Sequence, residues 1–218
     1  MQSRADDLGY VFVVTYGRSG STLVQGLLNS IPGYLVRGEN NGALYHLFRY
    51  HQTLVDESQR GVPERRRKGT HPFFGISDFA VEQSVRDCRR LFVDTVLRPD
   101  ADTRVTGFKE IRWYQPDLLD YVAWMQEVFP GARFVVNTRN HADVLKSKWW
   151  AKKDNTAYLR QIEDGILEAQ VRLGEAAYRV HYDDYVADPS SLEGLFDWLG
   201  EPFDLARVQA TLGQRHSV

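Results

Sequence analysis

Two kinds of segment alternate along the chain. Short apolar runs rich in β-branched and aromatic residues predict strands, and longer stretches with an apolar residue every three or four positions predict helices. The runs that predict strands are 10–15, 34–36, 105–108, 133–138 and 178–182. The helical patterns between and after them are 23–31, 42–51, 79–97, 118–129, 142–150, 158–177 and 192–199. This alternation predicts an α/β fold in which one domain, 1–218, has three layers around a central parallel sheet.

A turn of small residues connects the first predicted strand to the first predicted helix. Its members are Gly17, Arg18, Ser19, Gly20, Ser21 and Thr22. The backbone N–H groups of such a turn, together with the positive end of the helix dipole, favour an anion. The glycines let the backbone approach that anion, and the arginine and hydroxyl groups add donors. The turn therefore predicts a P-loop-like phosphate site, with an ordinary strand–helix turn as the alternative.

The turn matches neither of two common nucleotide-binding motifs. A Walker A loop needs a lysine before its final hydroxyl residue, and the dinucleotide motif needs three glycines at the spacing GxGxxG. The sequence of this turn has neither feature.

Charged side chains follow the other predicted strands. Glu39 comes after the second strand, Lys109 and Glu110 end the third, and Arg139 ends the fourth. Ser147 comes eight residues after Arg139, which predicts a position two turns into the next helix. Because ligands of open α/β sheets bind beyond the carboxyl ends of strands, these side chains are expected around one crevice. The alternatives are a helix N-terminal carboxylate for Glu39 and a surface ion pair for Lys109.

Residues 53–77 have little apolar periodicity and include a basic cluster at 65–68. They predict a basic loop that is either a solvated run of charge or a mobile flap that recruits an anionic acceptor. Trp149 and Trp150, in the pattern 142–150, are either core residues or the border of a nucleotide base.

The composition of the chain argues against several classes of function. A net charge of −2 over 218 residues gives no general basic field for nucleic acid. The single cysteine excludes an intramolecular disulfide and a cysteine-rich metal site. No apolar run has the length of a transmembrane segment, and 1–9 has no apolar signal core. A cytoplasmic protein is the expectation.

Three separated motifs together resemble the sulfotransferases that use 3′-phosphoadenosine 5′-phosphosulfate (PAPS). Residues 16–23 resemble the loop for the 5′-phosphosulfate, and 139–147 resemble the 3′-phosphate motif with its arginine-to-serine spacing. Residues 179–185, with Asp188 and the following proline, are similar to a late segment of many members. The resemblance is closer to the tyrosylprotein and carbohydrate branches than to the branch that acts on small phenols.

The resemblance implies a role for each candidate residue. The loop and Arg18 would bind the 5′-phosphosulfate, and Arg139 and Ser147 would bind the 3′-phosphate. Glu39 would be the general base, with Glu110 as the alternative, and Lys109 would stabilise charge on the departing phosphate. No metal is implied.

Two features depart from the family pattern. His141 stands where many members have a proline, and an Arg-Lys-Gly loop that closes over the 3′-phosphate is missing near the end of this sequence. Lys146 and Arg215 are the candidates to replace its contact.

The implied reaction moves the sulfuryl group from PAPS to an acceptor hydroxyl or amine and leaves 3′-phosphoadenosine 5′-phosphate (PAP). The acceptor is open among a glycan, a lipid, a peptide and a small natural product, with contacts expected from 42–80. The oligomeric state is open too. The alternatives are a P-loop-type small-molecule kinase, which would need a Walker lysine and magnesium, and a non-catalytic nucleotide-binding module.

Overall fold

Five parallel strands form the centre of the computed structural model, which describes residues 4–147, 150 and 155–213. The strands are β1 Gly9–Val14, β2 Tyr34–Arg37, β3 Val105–Glu110, β4 Arg133–Thr138 and β5 Ala177–His181. Their order across the sheet is β2-β3-β1-β4-β5, and every neighbouring pair is parallel. The predicted α/β fold with a central parallel sheet is confirmed.

Helices follow the strands in the order that the periodicity predicts. They are α1 Ser21–Asn29, α2 Ala43–Gln59, α3 Pro63–Arg66, α4 Val81–Phe92, α5 Leu118–Val128, α6 His141–Leu145, α7 Thr156–Leu173, α8 Tyr182–Ala187, α9 Glu193–Leu199 and α10 Leu205–Leu212. Short 3₁₀ turns cover Arg4–Asp6, Ile76–Asp78, Gly174–Ala176 and Pro189–Leu192, and a π-helical turn covers Val93–Leu97.

Both faces of the sheet are buried. Side chains of successive strand residues point to opposite faces, so Phe12 of β1 packs on the face covered by α2, α4, α5 and α7. Val11 and Val13 pack on the face covered by α1 and α8–α10. The ring of Phe12 lies 5.0 Å from that of Phe108 and 5.5 Å from that of Phe134. Burial on both faces explains why the strand runs are almost continuously apolar.

The segment expected to be a basic loop contains regular structure. Helix α2 continues to Gln59, eight residues beyond its predicted end, and α3 follows. Arg66 is buried, donates to the carbonyl of Glu57 at the end of α2, and lies with its guanidinium carbon 5.4 Å from the centre of the Phe73 ring. The prediction of a wholly solvated run of charge is therefore wrong for Arg66, and the mobility of 53–77 stays a prediction.

Helix α6 is shorter than predicted. Asn140 caps it by accepting a hydrogen bond from the Ala142 N–H, but the helix ends at Leu145. The prediction that Ser147 lies two turns into a helix is wrong, because the chain tightens there through a bond from the Ser147 N–H to the Val144 carbonyl. Ser147 lies just beyond the end of the helix.

Within the described ranges, no helix is both long enough and apolar enough to span a bilayer.

Candidate active site

The glycine turn between β1 and α1 is held in place by side chains of neighbouring elements. The Thr15 hydroxyl donates to the Asn137 carbonyl at 2.7 Å and lies 2.6 Å from the Ser19 hydroxyl. The Asn137 side-chain amide donates to the Ser19 carbonyl at 3.0 Å, and the Tyr185 hydroxyl donates to Asn137 Oδ1 at 3.2 Å. Ser19 is completely buried, so its hydroxyl supports the turn from inside, whereas Arg18 and Thr22 are exposed.

The turn needs glycine at position 20. Gly20 has φ of 80°, and a Cβ atom there would lie 2.0 Å from Cδ2 of Tyr182. The ring of Tyr182, at the start of α8, therefore packs directly on the backbone of the turn. Arg18 also has a left-handed backbone, with φ of 68°, which is uncommon for a residue with a side chain.

Arg139 lies beside the turn, at the end of β4. Its guanidinium carbon is 4.1 Å from the centre of the Tyr182 ring, and its Nη1 atom donates to the Arg18 carbonyl at 3.2 Å. The Nε atom of Arg139 is buried and has no hydrogen-bond partner in the described part of the chain. The same is true of the Ser147 hydroxyl oxygen. A buried polar group without a partner costs about 1–3 kcal/mol, which an anionic ligand would offset.

A buried tyrosine links this arginine to the rest of the fold. The Tyr16 hydroxyl accepts from the Arg139 N–H at 2.9 Å and donates to Glu163 Oε2 of α7 at 2.5 Å. Burial, with the hydrogen bond to Glu163 as the second cause, raises the pKa of Tyr16 well above its usual value. His141 Nε2 lies 3.1 Å from the same Glu163 oxygen. Tyr16 therefore stays a neutral donor that joins the ends of β1 and β4 to α7.

The structure brings Glu39 and Lys109 together. Lys109 Nζ lies 2.5 Å from Glu39 Oε1, which connects the residues that follow β2 with the end of β3. Lys109 is buried, and the Glu39 side chain is 36% exposed. The alternative of a surface ion pair does not describe Lys109, whose side chain is 7% exposed. Glu39 is the more exposed member of the pair.

Glu110 has a different environment from Glu39. It is buried, and its Oε2 atom accepts from the Gly42 N–H at 2.9 Å and the Asn40 N–H at 3.3 Å. Its Oε1 atom accepts from the Ile111 N–H at 2.8 Å. Glu110 therefore organises the turn that carries Glu39 into α2, and its oxygens are already used.

The two candidates for the contact that the Arg-Lys-Gly loop makes in the family, Lys146 and Arg215, differ in position. Lys146 is exposed and pairs with Asp143 at 2.7 Å, and this hydrogen bond lowers the pKa of Asp143. Arg215 and Trp149 lie outside the described residues. Trp150 is buried, and its indole N–H donates to the Gly17 carbonyl at 3.0 Å.

Sequence reasoning did not single out Tyr16, Tyr182 and Glu163 as site residues. A signal existed for the tyrosines, because Tyr16 directly follows the first strand run, Tyr182 ends the last one, and a buried tyrosine hydroxyl needs a partner. Glu163 lies in an ordinary helical pattern and gave no such signal. In the described part of the chain, no group of three or more His, Cys, Asp or Glu side chains is placed to hold a metal ion.

The sheet and the glycine turn define an α/β protein with its candidate site at the carboxyl edge of the strands. The chain belongs to the sulfotransferase family, because the model described as "Sulfotransferase family" matches residues 11–205. This confirms the family resemblance seen in the motifs, and the family and fold support sulfotransferase activity. No curated protein matches the chain significantly.

Two solved structures share the fold. The sulfotransferase domain from the olefin synthase of Synechococcus PCC 7002 is 20% identical, with a TM-score of 0.60, and the match covers 95% of this chain and 78% of that chain. The sulfotransferase domain from the curacin biosynthetic pathway is 16% identical, with a TM-score of 0.58, and the match covers 95% of this chain and 79% of that chain.

Proposed function

We propose that the protein transfers the sulfuryl group of PAPS to an acceptor hydroxyl or amine. The observation that carries the proposal is that two buried donors have no partner among the described residues: Arg139 Nε, beside the glycine turn, and the Ser147 hydroxyl, just beyond α6. A donor nucleotide with phosphates at both the 5′ and 3′ positions would use the turn and this pair at once. ATP has no 3′-phosphate to offer them.

In this proposal the residues of the turn bind the 5′-phosphosulfate. The turn from Gly17 to Gly20 leads into the N-terminal end of α1, which supplies N–H groups, and exposed Arg18 and Thr22 add donors. Ser21 is the first residue of α1, and Ser19 acts by holding the turn through Thr15. Arg139 is oriented for the 3′-phosphate by the Tyr182 ring and the Arg18 carbonyl.

The chemical step uses the pair Glu39 and Lys109. Glu39 accepts the proton of the acceptor hydroxyl as its oxygen forms a bond to sulfur. The bond between sulfur and the bridging oxygen of the 5′-phosphate breaks, and that oxygen keeps the electron pair. The ammonium group of Lys109 and the donors of the turn stabilise the charge on the departing phosphate of PAP.

Glu39 is the better candidate for the base than Glu110. Three backbone N–H groups already occupy the oxygens of Glu110, whereas the Glu39 side chain is partly exposed. A base must reach the acceptor proton within hydrogen-bond distance, which favours the exposed carboxylate.

Nucleotide titration tests the donor half of the proposal. In EDTA, the wild-type protein should bind PAP more tightly than AMP, which lacks only the 3′-phosphate. Arg139→Ala and Ser147→Ala should weaken PAP binding, by about 10- to 100-fold for the charged side chain, and leave AMP binding nearly unchanged. Arg172→Ala, which removes an exposed arginine near the end of α7, is the matched control. Equal affinity for PAP and AMP, or tight binding that requires Mg²⁺ and ATP, would contradict the proposal and favour a kinase.

A further inference from the structure

A cavity of about 400 Å³ lies beside the first residue of the glycine turn. Gly17 forms part of its wall, and the side chains around it are largely apolar or aromatic. Among them are Ile111, Tyr114, Trp150, Tyr158 and Ile162. Ligand sites in proteins commonly have volumes of about 300–1,000 Å³ and walls of this kind.

Three of the polar groups around this cavity are already used by the fold. The indole N–H of Trp150 donates to the Gly17 carbonyl, and the hydroxyl of Tyr16, which also lines the cavity, donates to Glu163. The Asn155 side-chain amide donates to the Trp150 carbonyl at 3.3 Å. None of the described residues that line the cavity is charged. Besides these groups, the wall offers a ligand ring faces, methyl groups and the hydroxyls of Tyr114 and Tyr158.

Two exposed tyrosines stand at this cavity. Tyr114, in the segment after β3, is 51% exposed, and Tyr158, near the start of α7, is 46% exposed. The rings of Tyr158 and Trp150 are 6.4 Å apart and tilted by 47°. Exposed aromatic rings beside an apolar cavity are typical of a surface that stacks on a flat ligand.

The cavity is next to the proposed chemistry. Gly17 begins the turn. Ile111 is two residues beyond Lys109, so the Cα atoms of Lys109 and Ile111 are at most about 7 Å apart. A molecule in the cavity would therefore lie between the turn and the end of β3. The donor residues Arg139 and Tyr182 lie beside the turn, at the ends of β4 and β5.

A second, larger cavity, the outer cavity, adjoins the first, inner cavity and does not include the turn in its wall. It has a volume of about 850 Å³ and shares Tyr114, Tyr158 and Ile162 with the first cavity. Its wall also has charged side chains, among them Arg160 and Glu168 of α7. The apolar end of a ligand thus has a place near the turn, and a polar end has a place farther out.

We propose that the inner cavity binds the acceptor, and that the acceptor is an uncharged aromatic alcohol. Its ring would stack between Tyr114 and Tyr158, its hydroxyl would point to the turn, and any polar remainder would lie in the outer cavity. This inference rests on the proposed function and names its acceptor class. It places the acceptor contacts outside 42–80, where the sequence suggested them.

The test uses 2-naphthol as the probe and N-acetylglucosamine as an uncharged, polar comparison. Binding is measured by NMR titration with and without PAP, for wild type, Tyr114→Ala, Tyr158→Ala and the two tyrosine-to-phenylalanine variants. We expect 2-naphthol to bind, each alanine variant to weaken it by about tenfold, and each phenylalanine variant to restore it, because the ring faces make the contact. Leu91→Ala removes a side chain of equal exposure on α4 and should change nothing.

Three outcomes would overturn the acceptor proposal. They are preferential binding of N-acetylglucosamine, no binding of 2-naphthol, and 2-naphthol binding that the alanine variants leave intact. The PAP affinity of each variant separates the two proposals. If wild type does not bind PAP, the donor proposal fails. The titration with 2-naphthol in the absence of PAP then still shows whether the cavity binds an aromatic alcohol.

Discussion

At the scale of single residues, the site depends on how closely side chains approach the backbone of the glycine turn. The Tyr182 ring occupies the space where a side chain at position 20 would begin. The same ring supports the guanidinium group of Arg139. One aromatic residue therefore sets both the shape of the turn and the position of the arginine proposed to bind the 3′-phosphate.

Gly20→Ala should destabilise the protein more than Gly42→Ala. Both glycines have left-handed backbones, with φ of 80° and 74°, so both changes carry a conformational cost of about 1–2 kcal/mol. Only the Gly20 variant also meets a neighbouring ring, since no atom lies within 4 Å of a Cβ at Gly42. This overlap should add about 1–3 kcal/mol. Denaturant unfolding measures the difference, and equal losses for the two variants would contradict the described packing.

At the scale of elements, the strands were predictable and several helix ends were not. Runs such as 133–138 are rich in apolar and β-branched residues because both faces of the sheet are covered. This composition can be recognised from the sequence alone. The length of α2 was missed because its second half is mostly polar, and it is extended by contacts such as Arg66 with the Glu57 carbonyl. The early end of α6, where the Ser147 N–H bonds to the Val144 carbonyl, is not visible in the periodicity.

The contact between α2 and α4 should make stability depend on pH. His51 is buried there, and its Nδ1 atom lies 3.0 Å from the Ser84 hydroxyl. Burial lowers the pKa of His51, with a smaller opposing effect from Glu127. The unfolded chain therefore binds a proton near pH 6.5 that the folded chain does not yet bind, so stability is lost as the pH falls below 6.5.

The measurement is the free energy of unfolding of wild type and His51→Gln between pH 5 and pH 8, by urea titration. Stability should fall more steeply below about pH 6.5 in wild type than in the variant. Parallel pH profiles for the two proteins would mean that His51 titrates normally in the folded state.

At the scale of the whole molecule, the candidate site collects side chains from four strand ends. Arg139 and Tyr182 lie on the side of β4 and β5, and Glu39 and Lys109 lie on the side of β2 and β3. The rule that ligands bind beyond strand ends was enough to group the charged residues from sequence. It could not choose between Glu39 and Glu110, because that choice depends on which backbone N–H groups each carboxylate contacts.

The cavity proposed to bind the acceptor could not be predicted either. Its wall combines the segment after β3 with the start of α7, more than 40 residues later in the chain, and neither has a motif. Nothing in the sequence around the tyrosines that line it distinguishes them from other aromatic residues, because only the fold brings them together.

The most direct test of the account is the rate at which PAPS is converted to PAP in EDTA, with 2-naphthol present, by wild type and Glu39→Gln. Wild type should release PAP together with the sulfated product. The variant should bind PAP with unchanged affinity and release it about 10²–10⁴-fold more slowly, as expected for loss of a general base. An unchanged rate in the variant, or conversion that requires Mg²⁺, would contradict sulfuryl transfer with Glu39 as the base. No conversion by a wild-type protein that binds PAP would contradict the proposed acceptor class.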